Sequence, residues 1–222
     1  MSTRNLTKTI GRSRNRRPNI HIRQPVTQSA FRAFDYAKAS GRPLNTYIVI
    51  NMPQASALTA TDDFCRIVHK FRDWLTNKAK QGQPKTPPIY VTSFENPDNN
   101  PHVNWVVHIP DYLKTEFQKK LPKWVGKVLG KIGPFDIHVQ DVDVNYDKRL
   151  AKYILKGTDS RFIQHFHLDN VYEGPQGVIW GRRTAVSQAI GIKARKRADF
   201  HPGRGRPYRP GRIYNRQPDA LA

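Results

Sequence analysis

The chain has a single cysteine, Cys65, and only two methionines in 222 residues. One thiol can neither close an internal disulfide nor build a cysteine zinc site, so no framework of that kind holds the fold. Acid is also scarce: 17 Asp and Glu stand against 38 Lys and Arg, a formal charge of +21. No apolar run approaches the roughly eighteen residues that a bilayer span needs. The N-terminus MSTRNLTKTIGRSRNRR lacks the apolar segment of a secretory leader, which predicts an intracellular protein without a membrane partner. Its Arg- and Ser-containing, acid-poor start also suits an organellar transit peptide, but a nucleic-acid-binding arm explains it equally well. There is no internal repeat. Gly126-Lys-Val-Leu-Gly130-Lys131 has neither the spacing nor the Ser/Thr of a phosphate loop, so nothing indicates a nucleotide cofactor.

What is present is unevenly placed charge. Residues 1–42 hold ten Lys/Arg and one acid, 181–222 hold eleven and two, and 43–180 hold seventeen and fourteen. The expected organisation is a basic N-terminal arm (1–42), one near-neutral core (43–180) and a basic tail (181–222) rich in Arg, Gly, Pro and Tyr. The arm is expected to be flexible to about residue 25, with a short helix near 28–39, and the tail to be disordered without a partner. Cationic ends that carry no amphipathic stripe favour a nucleic acid over an anionic membrane. Arginines interleaved with Tyr208 and Tyr214 suit phosphate contact with base stacking.

Within the core, NTYIVINM (45–52) is rich in β-branched residues and ends at Pro53, as a strand does. Phe64, Ile67, Val68, Phe71, Trp74 and Leu75 recur at three and four, which predicts an amphipathic helix over 61–80. The segments 89–95 and 102–108 flank the turn-forming run Asn96-Pro97-Asp98-Asn99-Asn100-Pro101, a hairpin signature. A second helix is expected from Asp111 to about Gly130, with Pro122 marking a kink or break. Phe135–Val142 alternates strictly, and Tyr146–Lys156 has helical character. The order β-α-β-β-α-β, then a helix, predicts an α+β, ferredoxin-like split βαβ core: an antiparallel sheet with its helices on one face and a functional face left open.

Alternation puts Val103, Trp105 and Val107 on the core side of the fourth segment and His102 and Asn104 on the other. With Glu95 closing the preceding strand, an imidazole, an amide and a carboxylate converge as a candidate divalent-metal site. Read singly, each is an ordinary hydrogen-bonding residue on a solvated strand. Tyr153 and Lys156, three apart on the last helix, are read singly as a packed tyrosine with a lysine lying along it.

Taken together, these residues resemble the HUH endonuclease superfamily, and within it the replication initiators of rolling-circle plasmids and small circular single-stranded DNA viruses. Pro101-His102-Val103-Asn104-Trp105 resembles that family's His-hydrophobic-His motif, with Asn104 in place of the second histidine, and Tyr153-Ile-Leu-Lys156 resembles its Tyr-x-x-Lys motif. YIVINM is similar to the first motif only loosely. The resemblance spans about 45–157, and nothing like the helicase half of the viral proteins follows it.

The resemblance implies metal-dependent nicking and joining of single-stranded or hairpin DNA, with host replication helicase or polymerase as further partners. Tyr153 would be the nucleophile, Lys156 would stabilise the developing charge, and Glu95, His102 and Asn104 would hold Mg²⁺ or Mn²⁺, which suit one imidazole with oxygen ligands better than Zn²⁺ does. Arg149, Lys152, Arg182, Arg183, Arg195, Lys196 and Arg197 are the candidate DNA-binding residues. Tyr146 is the alternative nucleophile, and His165-Phe166-His167 is an alternative metal pair. Two other functions stay open: a non-catalytic single-strand binder, either a decayed relative or an RRM-like module, and a basic packaging protein.

Overall fold

The structure is a computed structural model that describes residues 17–143 and 147–201. In chain order its elements are β1 (Pro18–Asn19), α1 (Gln24–Ala39), β2 (Thr46–Asn51), α2 (Ala60–Lys80), β3 (Tyr90–Glu95), β4 (His102–Val107), α3 (Asp111–Leu129), β5 (Ile137–Asp141), α4 (Asp147–Ile154), α5 (Ile163–Phe166), β6 (Ile179–Trp180), β7 (Thr184–Val186) and α6 (Ile192–Arg197). Five strands form an antiparallel sheet in the order β5-β2-β4-β3-β7, and β1 pairs with β6 as a separate ribbon. The fold is α+β, with β2 and β4 central as the split βαβ arrangement requires.

Side-chain alternation sorts the sheet into two faces. Ile48 opposes Trp105, and Ile50 and Phe94 both oppose Val103. These face α2 and α3, whose Phe64, Phe71 and Phe117 rings meet the fully buried Trp105 at centroid distances of 5.3–6.1 Å. Emptying one such aromatic position costs about 3–5 kcal/mol, so this is where much of the fold's stability resides. Pro122 does not break α3, which runs through it to Leu129. Phe135, expected on the core face of the last strand, instead precedes β5 and is 87% exposed.

The second face departs further from expectation, because helices pack on it as well. Val91 and Val106 on it are buried under α1 and α4, with Phe31, Phe34, Ala151 and Ile154. So the basic N-terminal region is an arm only in part. Pro25 at the start of α1 presets the helical φ, and Thr27, Ala30, Phe31, Ala33, Phe34 and Ala37 are buried. The tail boundary at 181 also shifts, since β7 adds the fifth strand and α6 packs back on α1. Arg195, buried at 7% exposure, donates to the carbonyls of Ser29 and Ile190 at 3.0 Å. The other end of this face is left to polar residues.

Candidate active site

The β3–β4 register places Glu95 directly opposite His102 and Ser93 opposite Asn104. On the other side of β4, Val49 opposes Asn104 and Tyr47 opposes Val106. Tyr47, His102, Asn104 and Glu95 therefore share one end of the second face, Glu95 and Asn104 buried and Tyr47 and His102 half-buried. The turn that sets this register holds Asp98 and Asn99 at φ 51° and 58°, a left-handed conformation that Asp and Asn tolerate best among residues with a side chain.

Glu95 is the hub. It is 3% exposed, and one carboxylate oxygen accepts from the Asn104 amide nitrogen at 2.8 Å. The other lies 3.0 Å from His102 Nε2 and 3.4 Å from Lys156 Nζ. A buried carboxylate is tolerated only with such partners. The Asn104 carbonyl accepts from the Tyr47 hydroxyl at 2.6 Å. Burial, together with the nearby Tyr153 and Glu95, raises the pKa of Tyr47, so this phenol stays a donor.

Lys156 and Tyr153 arrive from the end of α4. The Lys156 ammonium, inside a residue only 5% exposed, sits 4.5 Å from the Tyr153 ring centroid and 2.8 Å from Glu173. Burial works against its charge, but the Glu173 carboxylate and then Glu95 outweigh that and raise its pKa. Tyr153 is 38% exposed, and its ring meets that of Tyr47 edge-on at 6.4 Å. The five residues singled out as nucleophile, cation and ligands thus form one cluster.

The donor set bears on a metal. Among the described residues there is no group of three His, Cys, Asp or Glu that holds an ion; here the third donor would be an amide. His102 Nδ1 lies 3.4 Å from the Asn100 carbonyl, and the shorter contact is that of Nε2 with the Glu95 carboxylate at 3.0 Å, in which an Nε2–H donates. A cation held between Nε2 and that oxygen would have to replace this proton. That spacing matches neighbouring ligands around a Mg²⁺-sized ion with bonds of roughly 2.1 Å. The residues fit such a cation, provided the Asn104 carbonyl gives up Tyr47.

The remaining candidates scatter. Arg149 and Lys152 lie on α4, Arg149 exposed and Lys152 half-buried. Lys196 and Arg197 are exposed on α6, and Arg182 is exposed beside β7. Arg183 and Arg195 are not available to DNA: both are buried and spend their guanidinium groups on backbone carbonyls. Arg183 donates to the carbonyls of Phe94 and Asn19 at 2.8 and 2.9 Å, and burial lowers its pKa to about 10, with Glu95 partly opposing. His165 is buried against the Phe166 ring while His167 is exposed, so the two do not present a common pair. Tyr146, Tyr208 and Tyr214 lie outside the described residues.

Two site residues escaped the sequence reading. Tyr47 had a signal, since it sits on the mixed face of a strand expected beside β4. Glu173 had none, because it lies between α5 and β6 in a segment without periodicity.

No protein-family model matches the chain, and no curated protein matches it by sequence. No helix among the described residues is long and apolar enough to cross a membrane. The case for function therefore rests on the geometry.

Proposed function

We propose that the protein nicks and rejoins single-stranded DNA by transesterification at Tyr153. One observation carries this reading: Tyr153 on α4 and Lys156 in the turn after it lie more than 45 residues beyond Glu95, His102 and Asn104, yet the fold packs all five into one cluster. A phenol is a weak nucleophile near neutral pH, with an ordinary pKa of about 10, so it needs help. The Lys156 ammonium beside the ring supplies positive charge where negative charge develops on the phenol and the phosphate.

In the reaction the Tyr153 oxygen bonds to phosphorus and the bond from phosphorus to the 3′ oxygen breaks. The phenolic proton is released and the departing 3′ oxygen takes one up. The strand is left with a free 3′ hydroxyl and a 5′ phosphate held on Tyr153, and the reverse reaction rejoins it. A divalent cation held by His102, Glu95 and Asn104 would polarise the phosphate and offset its charge. Exposed cations at Arg149, Lys196 and Arg197 track the backbone, and host replication helicase or polymerase would take over the nicked strand.

The test is cleavage of end-labelled single strands and stem-loops in Mn²⁺. The reading requires fragments with an extendable 3′ hydroxyl and a 5′ end that resists phosphatase and kinase until protease treatment. Fragments with two unblocked ends contradict it. Tight, salt-sensitive binding without any cleavage across varied stem-loops favours the non-catalytic binder.

A further inference from the structure

A second cavity, of about 600 Å³, opens on the opposite face of the sheet from Glu95, between α2 and the edge formed by β3 and β7. It owes its place to β7, which widens the sheet beside α2. Its floor is Tyr90, Thr92 and Phe94, the core-side residues of β3. Arg72 of α2, Arg17 before β1 and Arg182 after β6 line it, all three exposed, and the His69 ring stands on the same wall. No Asp or Glu among the described residues lines it.

Three guanidinium groups around one hollow, with no carboxylate among them, match an anion, and the planar fork of arginine suits phosphate best. Phosphate alone does not explain the rest. The volume lies within the roughly 300–1,000 Å³ of sites for organic ligands, and the walls offer flat rings. Arg72 and the half-buried Tyr90 line the same hollow, and the charge of Arg72 opposes the rise that burial causes in the pKa of the Tyr90 hydroxyl. Rings beside arginines are the recurrent device for unpaired bases.

We propose that this cavity binds a nucleotide unit, its base against Tyr90 and His69 and its phosphate on Arg72 and Arg182. None of the lining residues belongs to the Glu95 cluster, so binding here does not depend on that cluster's activity.

Cys65, the chain's only cysteine, is exposed and lines the cavity, which gives a local reporter. The experiment measures the rate of maleimide alkylation of the full-length protein with dTMP, a ten-residue oligothymidylate, inorganic phosphate or heparin. Slowing by about threefold or more with dTMP or the oligonucleotide, and not with phosphate or heparin, is the expected result. Protection by dTMP alone identifies free nucleotide as the source; protection by the oligonucleotide, with or without dTMP, identifies a strand. Arg72→Ala/Arg182→Ala should weaken the protecting ligand by about tenfold or more, while the charge-matched Lys119→Ala/Lys123→Ala on α3 should not. All four positions are exposed, so folding should persist, with thermal melting as the check. The proposal is overturned if neither dTMP nor the oligonucleotide protects, or if phosphate or heparin protects equally. It is also overturned if the lysine pair weakens protection as much as the arginine pair.

Discussion

The Tyr47 hydroxyl donates to the Asn104 carbonyl at 2.6 Å, and this bond decides which end of the Asn104 amide faces Glu95. Removing it leaves a carbonyl in a residue 1% exposed without its donor. Tyr47→Phe should therefore cost about 1–2 kcal/mol in urea unfolding, the range for an orphaned buried acceptor. Nicking should not fall in parallel, since the Asn104 carbonyl has to leave Tyr47 before it can reach a cation. Unchanged stability would mean that the bond holds nothing in place.

Lys156 and Glu173 form a pair of unequal burial, with side-chain exposures of 6% and 63%. Lys156→Met leaves Glu95 short of a cation inside the protein and should cost about 3 kcal/mol, the lower end for breaking a buried pair. Glu173→Gln removes a solvated partner and should cost no more than about 1 kcal/mol. Because the Lys156 pKa is raised, its contribution is complete below the ordinary lysine value and fades only as pH climbs through the raised one. Denaturant titrations of both variants at neutral pH give the comparison.

Arginines expected to act alike should separate by burial. Arg183→Ala and Arg195→Ala strip buried carbonyls of their donors and should lower the melting temperature. Lys196→Ala/Arg197→Ala, both exposed, should leave melting unchanged and weaken single-strand binding. The log–log salt slope should flatten by about 0.7 for each phosphate that the variant no longer neutralises. Binding isotherms at several salt concentrations, beside melting curves, test the division.

Asp159 sits 6% exposed where the N-terminal segment joins the chain after α4, and its backbone N–H donates to the Ile22 carbonyl at 3.0 Å. Its hydrogen bonds from Arg161 hold its pKa down at about 2, with burial opposing them. A depressed carboxyl stabilises fully above its unfolded value and loses that contribution as pH falls through the folded one. Acid unfolding should thus show a loss between about pH 4 and 2 that is absent in Asp159→Asn. The size should be on the order of 1 kcal/mol, since Arg161 is exposed and solvent screens the pair.

The strands and helices that build the Trp105 core were legible because each repeats a clean period of two or between three and four. The hairpin register followed from its turn chemistry, and with it the meeting of Glu95, His102 and Asn104. The cover on the second face was not legible. Val91 and Val106 lie on the face expected to stay open, and nothing local shows that Phe31 and Phe34, about sixty or more residues away, close over them. Net charge misled as well. It marked 181–222 as a solvated tail, whereas Arg183 and Arg195 are buried because their guanidinium groups cap backbone carbonyls that the added strand and α6 bring inward. Composition reports how many arginines there are and is silent on what each one meets.

The central claim is a phosphotyrosine bond at Tyr153. The measurement is an intact-mass and denaturing-gel search for a covalent adduct, using the full-length protein with Mn²⁺ and a pool of labelled single strands and stem-loops. Wild type, Tyr153→Phe and Tyr146→Phe are compared. An adduct that survives Tyr146→Phe and vanishes in Tyr153→Phe is the predicted result. An adduct that persists in Tyr153→Phe, or none in the wild type with a strand that it demonstrably cleaves, contradicts it.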